Sequence, residues 1–331
     1  MTVFFSLILV LLLTVLGYFG GAAPGLNTLF GVVIPYVAIA IFIIGVAYRI
    51  VRWALSPVPF RITATCGQQK SLPWIKASCL DNPSTGVGAV ARMFLEILLF
   101  RSLFRNTKAE LREGPRLTYG ENKFLWLGAM AFHWSFLFIL LRHLRFFLEP
   151  VPGFVLIAQD VDGFFQIGTP ILYITDLLIL AALVYLFARR ITNAQIRYFS
   201  LVADYFALFL LIGLAFSGVL LRYFVKTDLL GVKELAMGLV TLSPAIPAGI
   251  SPIFFIHLFF LSVLIAYFPF SKLMHMGGVF LSPTRNLANN NRMKRHLNPW
   301  NYPVKVHTYE EWEEEFKDKI QASGLPLDEK A

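Results

Sequence analysis

Four histidines stand at two spacings inside the most apolar parts of the chain. His133 and His143 are ten residues apart, and His257 and His275 are eighteen apart. An imidazole in hydrocarbon is costly, so such residues are rare and mark functional sites. Imidazole is also the commonest side-chain metal ligand. Two helices that each place one histidine towards either end can clamp two metal centres stacked along their length. The metal carrier that fits between such helices is haem. Two imidazoles on one iron make it six-coordinate and closed to small ligands, which suits electron transfer. The sequence contains no C-x-x-C-H, so attachment would be non-covalent, as in b-type haem. His296 and His307 lie in a polar tail and read as solvated or interfacial side chains.

The elements that must carry these histidines are membrane helices. Of the 331 residues, 57% are hydrophobic and only 15% charged, with a mean hydropathy of +0.65. These values exclude an ordinary soluble domain. About 20 apolar residues are needed to cross the hydrocarbon core. Six stretches meet or approach that length: 3–19, 29–55, 124–148, 170–187, 201–224 and 252–273. The expected fold is therefore an all-α polytopic transmembrane bundle of about six helices, with a di-haem core formed by the last four. Lysine and arginine divide 24 to 5 between the two sides of such a bundle. The positive-inside rule then puts both termini and the long 56–116 loop in the cytoplasm, with the chain in the cytoplasmic membrane. The net charge of +9 is mostly this topology signal, with some attraction to anionic lipid, and implies no nucleic-acid partner. The first helix lacks the basic residues of a signal peptide and is expected to be retained. Cys66 and Cys79 fall in the cytoplasmic loop, where free thiols are expected and no zinc signature is formed.

These directions turn four residues into two pairs. The helix at 124–148 runs outward and the helix at 252–273 runs inward, so His143 faces His257 at the outer side and His133 faces His275 at the inner side. On one continuous helix, eighteen residues are five full turns, which places His257 and His275 on one face about 27 Å apart. Ten residues separate His133 from His143 by about 15 Å and about 80°. Arg142, Arg145 and Arg222 cluster near the outer pair, where guanidinium groups could bind haem propionates bidentately or snorkel to the interface. Asp176, expected several residues inside the fourth helix, is a candidate for taking a quinol proton or for a buried hydrogen bond.

The flanks divide the chain further. Residues 1–55 read as a two-helix hairpin, 56–116 as a cytoplasmic loop, 117–281 as the quinol-linked core and 282–331 as a partner-docking tail. Within the loop, 88–106 mixes phenylalanine and leucine with arginine and glutamate and suits an amphipathic helix lying at the interface. In the tail, Thr308 and Glu311 form a capping box. Tyr309, Trp312, Phe316 and Ile320 then make one apolar stripe that needs a surface to cover.

The two histidine spacings, on the first and last helices of a four-helix core, resemble the gamma subunit family of respiratory nitrate reductase over about 117–281. That resemblance implies two b haems, with His133, His143, His257 and His275 as ligands and quinol oxidised near the outer one. The segment 57–84 (PVPFRITATCGQQKSLPWIKASCLDNPS) and the tail 295–302 (RHLNPWNY) are similar to the DsrM family of DsrMKJOP sulfur-respiration complexes. This second resemblance implies menaquinone as cofactor and a cytoplasmic iron–sulfur partner like DsrK, related to heterodisulfide reductase, on which any sulfur chemistry would occur. The expected function is electron transfer between menaquinol and that partner. The alternatives are a gamma subunit of a nitrate-reductase-like or heterodisulfide reductase enzyme and, more remotely, a haem-free transporter or membrane anchor.

Overall fold

A computed structural model describes residues 1–23, 25–56, 67–114, 116–165, 170–293 and 306–327. Cys66, His296 and the 295–302 motif lie outside the described residues, as does the first part of the 57–84 segment.

The N-terminal hairpin consists of α1 (Thr2–Ala22) and α2 (Ile34–Ala54), with one π turn leading into the second helix. The next loop carries α3 (Gly86–Leu99), α4 (Arg101–Phe104) and an antiparallel hairpin, β1 (Thr107–Arg112) with β2 (Arg116–Glu121). The core then runs through α5 (Lys123–His143), α6 (Gly153–Asp162), a small ladder of β3 (Gly163–Phe165) with β4 (Leu172–Tyr173), α7 (Ile174–Thr192) and α8 (Ala194–Phe199). It continues through α9 (Val202–Tyr223), α10 (Leu229–Val240), α11 (Pro252–Tyr267), α12 (His275–Leu281) and α13 (Pro283–Asn286). The tail adds α14 (Tyr309–Ala322).

Among the described residues, five helices are long and apolar enough to cross a membrane: Thr2–Ala22, Leu29–Ala54, Lys123–Phe146, Val202–Tyr223 and Pro252–Phe270. The chain is a multi-pass helical membrane protein. The sixth expected span is present as α7, packed between α5 and α9, but it starts at Ile174 rather than Pro170. Asp176 in its first turn and Arg189 and Arg190 in its last make it too charged to join the five on composition. Asp176 therefore sits at a helix end rather than deep inside the helix.

Helix packing leaves α5 and α11 facing each other. α5 lies on α7, α7 on α9 and α9 on α11, while α1 covers α9 and α11 from outside and α2 covers α11. A cluster around Phe30, Val232, Leu235, Phe255 and Phe259 joins the hairpin to α10 and α11.

Two helices break where the sequence reads as continuous. The 88–106 segment is split at Phe100, which takes a left-handed φ of 48° between α3 and α4. The end of α3 is tied to α5, its last carbonyls accepting from two indoles: Trp126 Nε1 donates to Leu99 O at 2.7 Å and Trp134 Nε1 to Leu98 O at 3.1 Å. Arg92 is buried against the protein, while Val87, Val90, Phe94 and Leu98 leave an apolar stripe exposed.

The second break corrects the five-turn expectation. α11 ends at Tyr267, two 3-10 turns (Phe268–Phe270 and Lys272–Met274) come next, and His275 opens the separate helix α12. Pro269 cannot donate to the α ladder and Ser271 is extended at φ −106°, ψ 176°. His257 and His275 therefore do not share a face of one helix. α2 packs against this break at Gly45, where an added Cβ would lie 2.8 Å from the Pro269 ring.

Candidate metal centre

The histidines nevertheless meet in the two expected pairs. The His143 and His257 ring centroids lie 6.2 Å apart with planes 13° from parallel, and those of His133 and His275 lie 6.0 Å apart at 85°. Imidazoles on opposite sides of one iron, with metal–nitrogen bonds of about 2.0 Å and ring radii of about 1.2 Å, have centroids about 6.3 Å apart. Both separations match that span. His275 is exposed, and the other three are partly buried.

Hydrogen bonds hold each ring by Nδ1. His133 Nδ1 donates to Ala129 O at 2.8 Å, His143 Nδ1 to Ile139 O at 2.7 Å, and His275 Nδ1 to Lys272 O at 2.9 Å. A carbonyl only accepts, so the proton of each neutral ring sits on Nδ1. His257 Nδ1 meets Ser217 Oγ at 2.9 Å, and that hydroxyl donates its one proton to Leu214 O at 3.0 Å. It must therefore accept from His257. All four Nε2 lone pairs are left for a metal, with outer partners of the kind that fix metal-binding histidines. The donor set fits haem iron. Gly218, next to Ser217, gives His257 room: an added Cβ would lie 3.2 Å from His257 Cε1. Around His133, Phe100 packs edge-on at 4.9 Å and Phe132 at 5.0 Å.

A polar network closes the end of the bundle at His143. Arg142 is buried, with Nε 3.1 Å from Asp162 Oδ2 and Nη2 2.5 Å from Asp176 Oδ1, and it also donates to Thr175 Oγ1 at 3.0 Å. Asp162 accepts from Thr175 N at 2.9 Å and from Thr175 Oγ1 at 2.6 Å. Asp176 Oδ2 accepts from Tyr223 Oη at 2.8 Å, with Arg222 Nε 3.9 Å away. Arg222 also donates to Ile171 O at 2.9 Å. The Tyr173 ring lies between the two guanidinium groups, 3.8 Å from that of Arg142 and 4.1 Å from that of Arg222. Arg145, in the 3-10 turn after α5, is exposed.

Sequence reasoning missed Asp162, Thr175 and Tyr223, which sit at helix ends and lack a distinctive spacing. It also missed Ser217. The small Ser217-Gly218 pair in an otherwise bulky helix is the signal that could have found the last of these.

The far end of the bundle is joined to the loop and tail. Asp204 of α9 binds Lys272 at 2.8 Å, fixing the broken segment before His275. Asn289 Nδ2 donates to Asn82 Oδ1 at 2.8 Å and its backbone N–H to Pro83 O at 2.7 Å. Asp81 receives Arg101 at 3.1 Å and also Arg105, tying the loop to α4. Cys79 is free and exposed.

These features define a multi-pass helical membrane protein whose polar interior is built around two histidine pairs. The chain belongs to the nitrate reductase gamma subunit family, which matches residues 96–295. It is 49% identical over 282 residues to the Hdr-like menaquinol oxidoreductase cytochrome b-like subunit of Archaeoglobus fulgidus, covering 83% of this chain and 84% of the relative. The protein of the same name from Archaeoglobus profundus is 43% identical over 274 residues, covering 81% of each.

Proposed function

We propose that this chain is the membrane cytochrome b-like subunit of a menaquinol-dependent, heterodisulfide-reductase-like oxidoreductase complex. The observation that carries this reading is the two imidazole pairs, each about one iron wide and each presenting bare Nε2 atoms. His143 with His257 would hold one b haem, and His133 with His275 a second. Bound there, haem supplies one-electron chemistry at two depths in the bilayer.

The chain's own residues set the conditions for that chemistry. Four Nδ1 hydrogen bonds orient the rings, and packing among the helices partly buries those of His133, His143 and His257. Menaquinol oxidation is assigned to the His143/His257 end, taken as the outer side on the positive-inside rule. Asp176, the candidate for a quinol proton, is the shared acceptor of Arg142 and Tyr223, with Arg222 3.9 Å away. Arg142 is already engaged by two carboxylates, which leaves exposed Arg145 as the readier partner for a propionate at that end. Electrons leave at the other end to a cytoplasmic iron–sulfur subunit. The finer proposal, from the 57–84 and 295–302 segments, is a DsrK-like partner in a DsrMKJOP-like complex of sulfur respiration.

A reduced-minus-oxidised visible spectrum of the purified protein tests the reading. We expect a b-type α band, and its absence from a correctly folded sample would overturn the proposal. His143→Ala and His133→Ala are each expected to remove one centre. Loss of both from either change would rule out two independent pairs.

A further inference from the structure

Beside His143 the chain sets Arg142 and Arg222 against Asp162 and Asp176, with Arg222 the most open of the four at 28% exposed. The Asp162 side chain is 1% exposed, that of Arg142 9% and that of Asp176 12%. Asp162 is the last residue of α6, and a carboxylate at a helix C-terminus opposes the helix dipole. Burying it adds a desolvation cost that an ion pair offsets only with good geometry and further hydrogen bonds. Thr175 supplies the hydrogen bonds through both its N–H and its hydroxyl, while Arg142 Nε stands 3.1 Å away as an ion pair without hydrogen-bond alignment. Replacing such a pair with apolar side chains often costs no stability, so stability alone is a weak reason for it. Its position offers a better one, because Arg142 is the residue before His143 in the last turn of α5.

We infer that Asp162 is a positioning residue that sets the charge beside the His143/His257 centre. The inference rests on the proposal that this pair holds a redox centre. With Asp162 present, the Arg142 charge is compensated and the end of α5 is tied to α6 and α7. Without it, Arg142 and Arg222 face one carboxylate, and a positive charge stands uncompensated in a medium of low dielectric, where Coulomb interactions are strong. Positive charge beside a redox centre favours the form carrying the extra electron. The two carboxylates therefore hold the potential of this centre below the value that the bare arginines would impose. His133 stands in the middle of α5, ten residues and about 15 Å of rise from His143, so the His133/His275 centre feels this charge more weakly.

The experiment is a potentiometric titration of the visible spectra of both centres in the full-length protein, with His143→Ala identifying which component belongs to the His143/His257 pair. In Asp162→Asn that component is expected to titrate at a higher potential, with the other moving less. Asp162→Glu, which keeps the charge, is expected to restore the original value. Thr175→Val removes a hydroxyl partner but no charge and is expected to leave both potentials in place. An unshifted or lowered potential in Asp162→Asn, or an equal rise in Thr175→Val, overturns the inference. If Asp162→Asn yields no folded protein, Asp176→Asn must raise the same potential, and failure to do so overturns it equally. Absence of b-type absorption from the unmodified protein would instead overturn the functional proposal.

Discussion

Each of the four imidazoles is anchored through Nδ1, but the anchors differ in kind. His133 and His143 donate one turn back to carbonyls of their own helix, and His275 donates three residues back to Lys272. These bonds come with local backbone geometry. His257 depends on a hydroxyl from another helix, Ser217 of α9. Ser217→Ala is therefore expected to weaken retention of that centre by about 10–100-fold, as loss of an outer-shell partner does, while the His133/His275 centre is kept. Equal loss of both on graded haem extraction would contradict this. Ring orientation gives a second expectation at this scale. Near-parallel imidazole planes act on the same iron d orbital and lift a degeneracy, whereas perpendicular planes leave it nearly intact. Electron paramagnetic resonance of the oxidised protein should show one rhombic low-spin signal, from the 13° pair, and one highly anisotropic signal, from the 85° pair. Two identical rhombic signals would contradict the geometry.

The element that matters most is the break between α11 and α12. Pro269 interrupts the backbone ladder, and Ser271 caps the next turn by accepting from Leu273 N at 3.1 Å. Lys272 is held to Asp204 of α9. His275 thus stands at the start of a new helix, and its position depends on the groups packed around the break. Gly45 of α2 is one such contact, and the rigid proline ring against it leaves no room for a side chain. Gly45→Leu is expected to cost about 1–3 kcal/mol by overpacking and to deplete the His133/His275 centre before the other. Spectral quantitation of both centres in that variant checks it, and selective loss of the His143/His257 centre would contradict it. Phe100 works from the opposite side. Its left-handed backbone separates α3 from α4 and brings its ring against His133, a strained conformation located beside a candidate ligand.

Across the whole molecule, the loop and tail form one surface at the His133/His275 end. Asp81 is central to it. Partial burial raises its pKa, but hydrogen bonds and charge from Arg105 and Arg101 outweigh burial and hold the carboxyl below its ordinary 3.8. Its contribution to stability is complete above that value and is lost as pH falls through the lower folded-state value. Hydrogen exchange in 67–83 is therefore expected to quicken below about pH 4 while the apolar helices stay protected. Unchanged exchange would argue against Asp81 as the tie. The capped helix α14 carries the stripe foreseen for it, with Trp312 45% and Tyr309 55% exposed. Deleting 308–331 is expected to reduce co-purification of an iron–sulfur partner, and unchanged recovery would leave the stripe with no role in docking.

The sequence by itself determined the apolar spans, the four histidines and the capping box of α14. Span hydropathy, the cost of intramembrane imidazole and the Thr308–Glu311 spacing are all local properties. It also carried which histidines stand opposite each other, because that depends on helix direction rather than on exact rotation. The number of clear spans came out one lower, since the charges of α7 fall within helical turns whose limits sequence does not mark. Only the tertiary structure decided how His275 reaches His133. A proline and an extended serine end the helical arithmetic at Tyr267, and contacts from α2 and α9 then place the segment leading into α12. Likewise, Asp162 gains its partner only because α6 folds back on α5, a contact between residues twenty apart that no local pattern records.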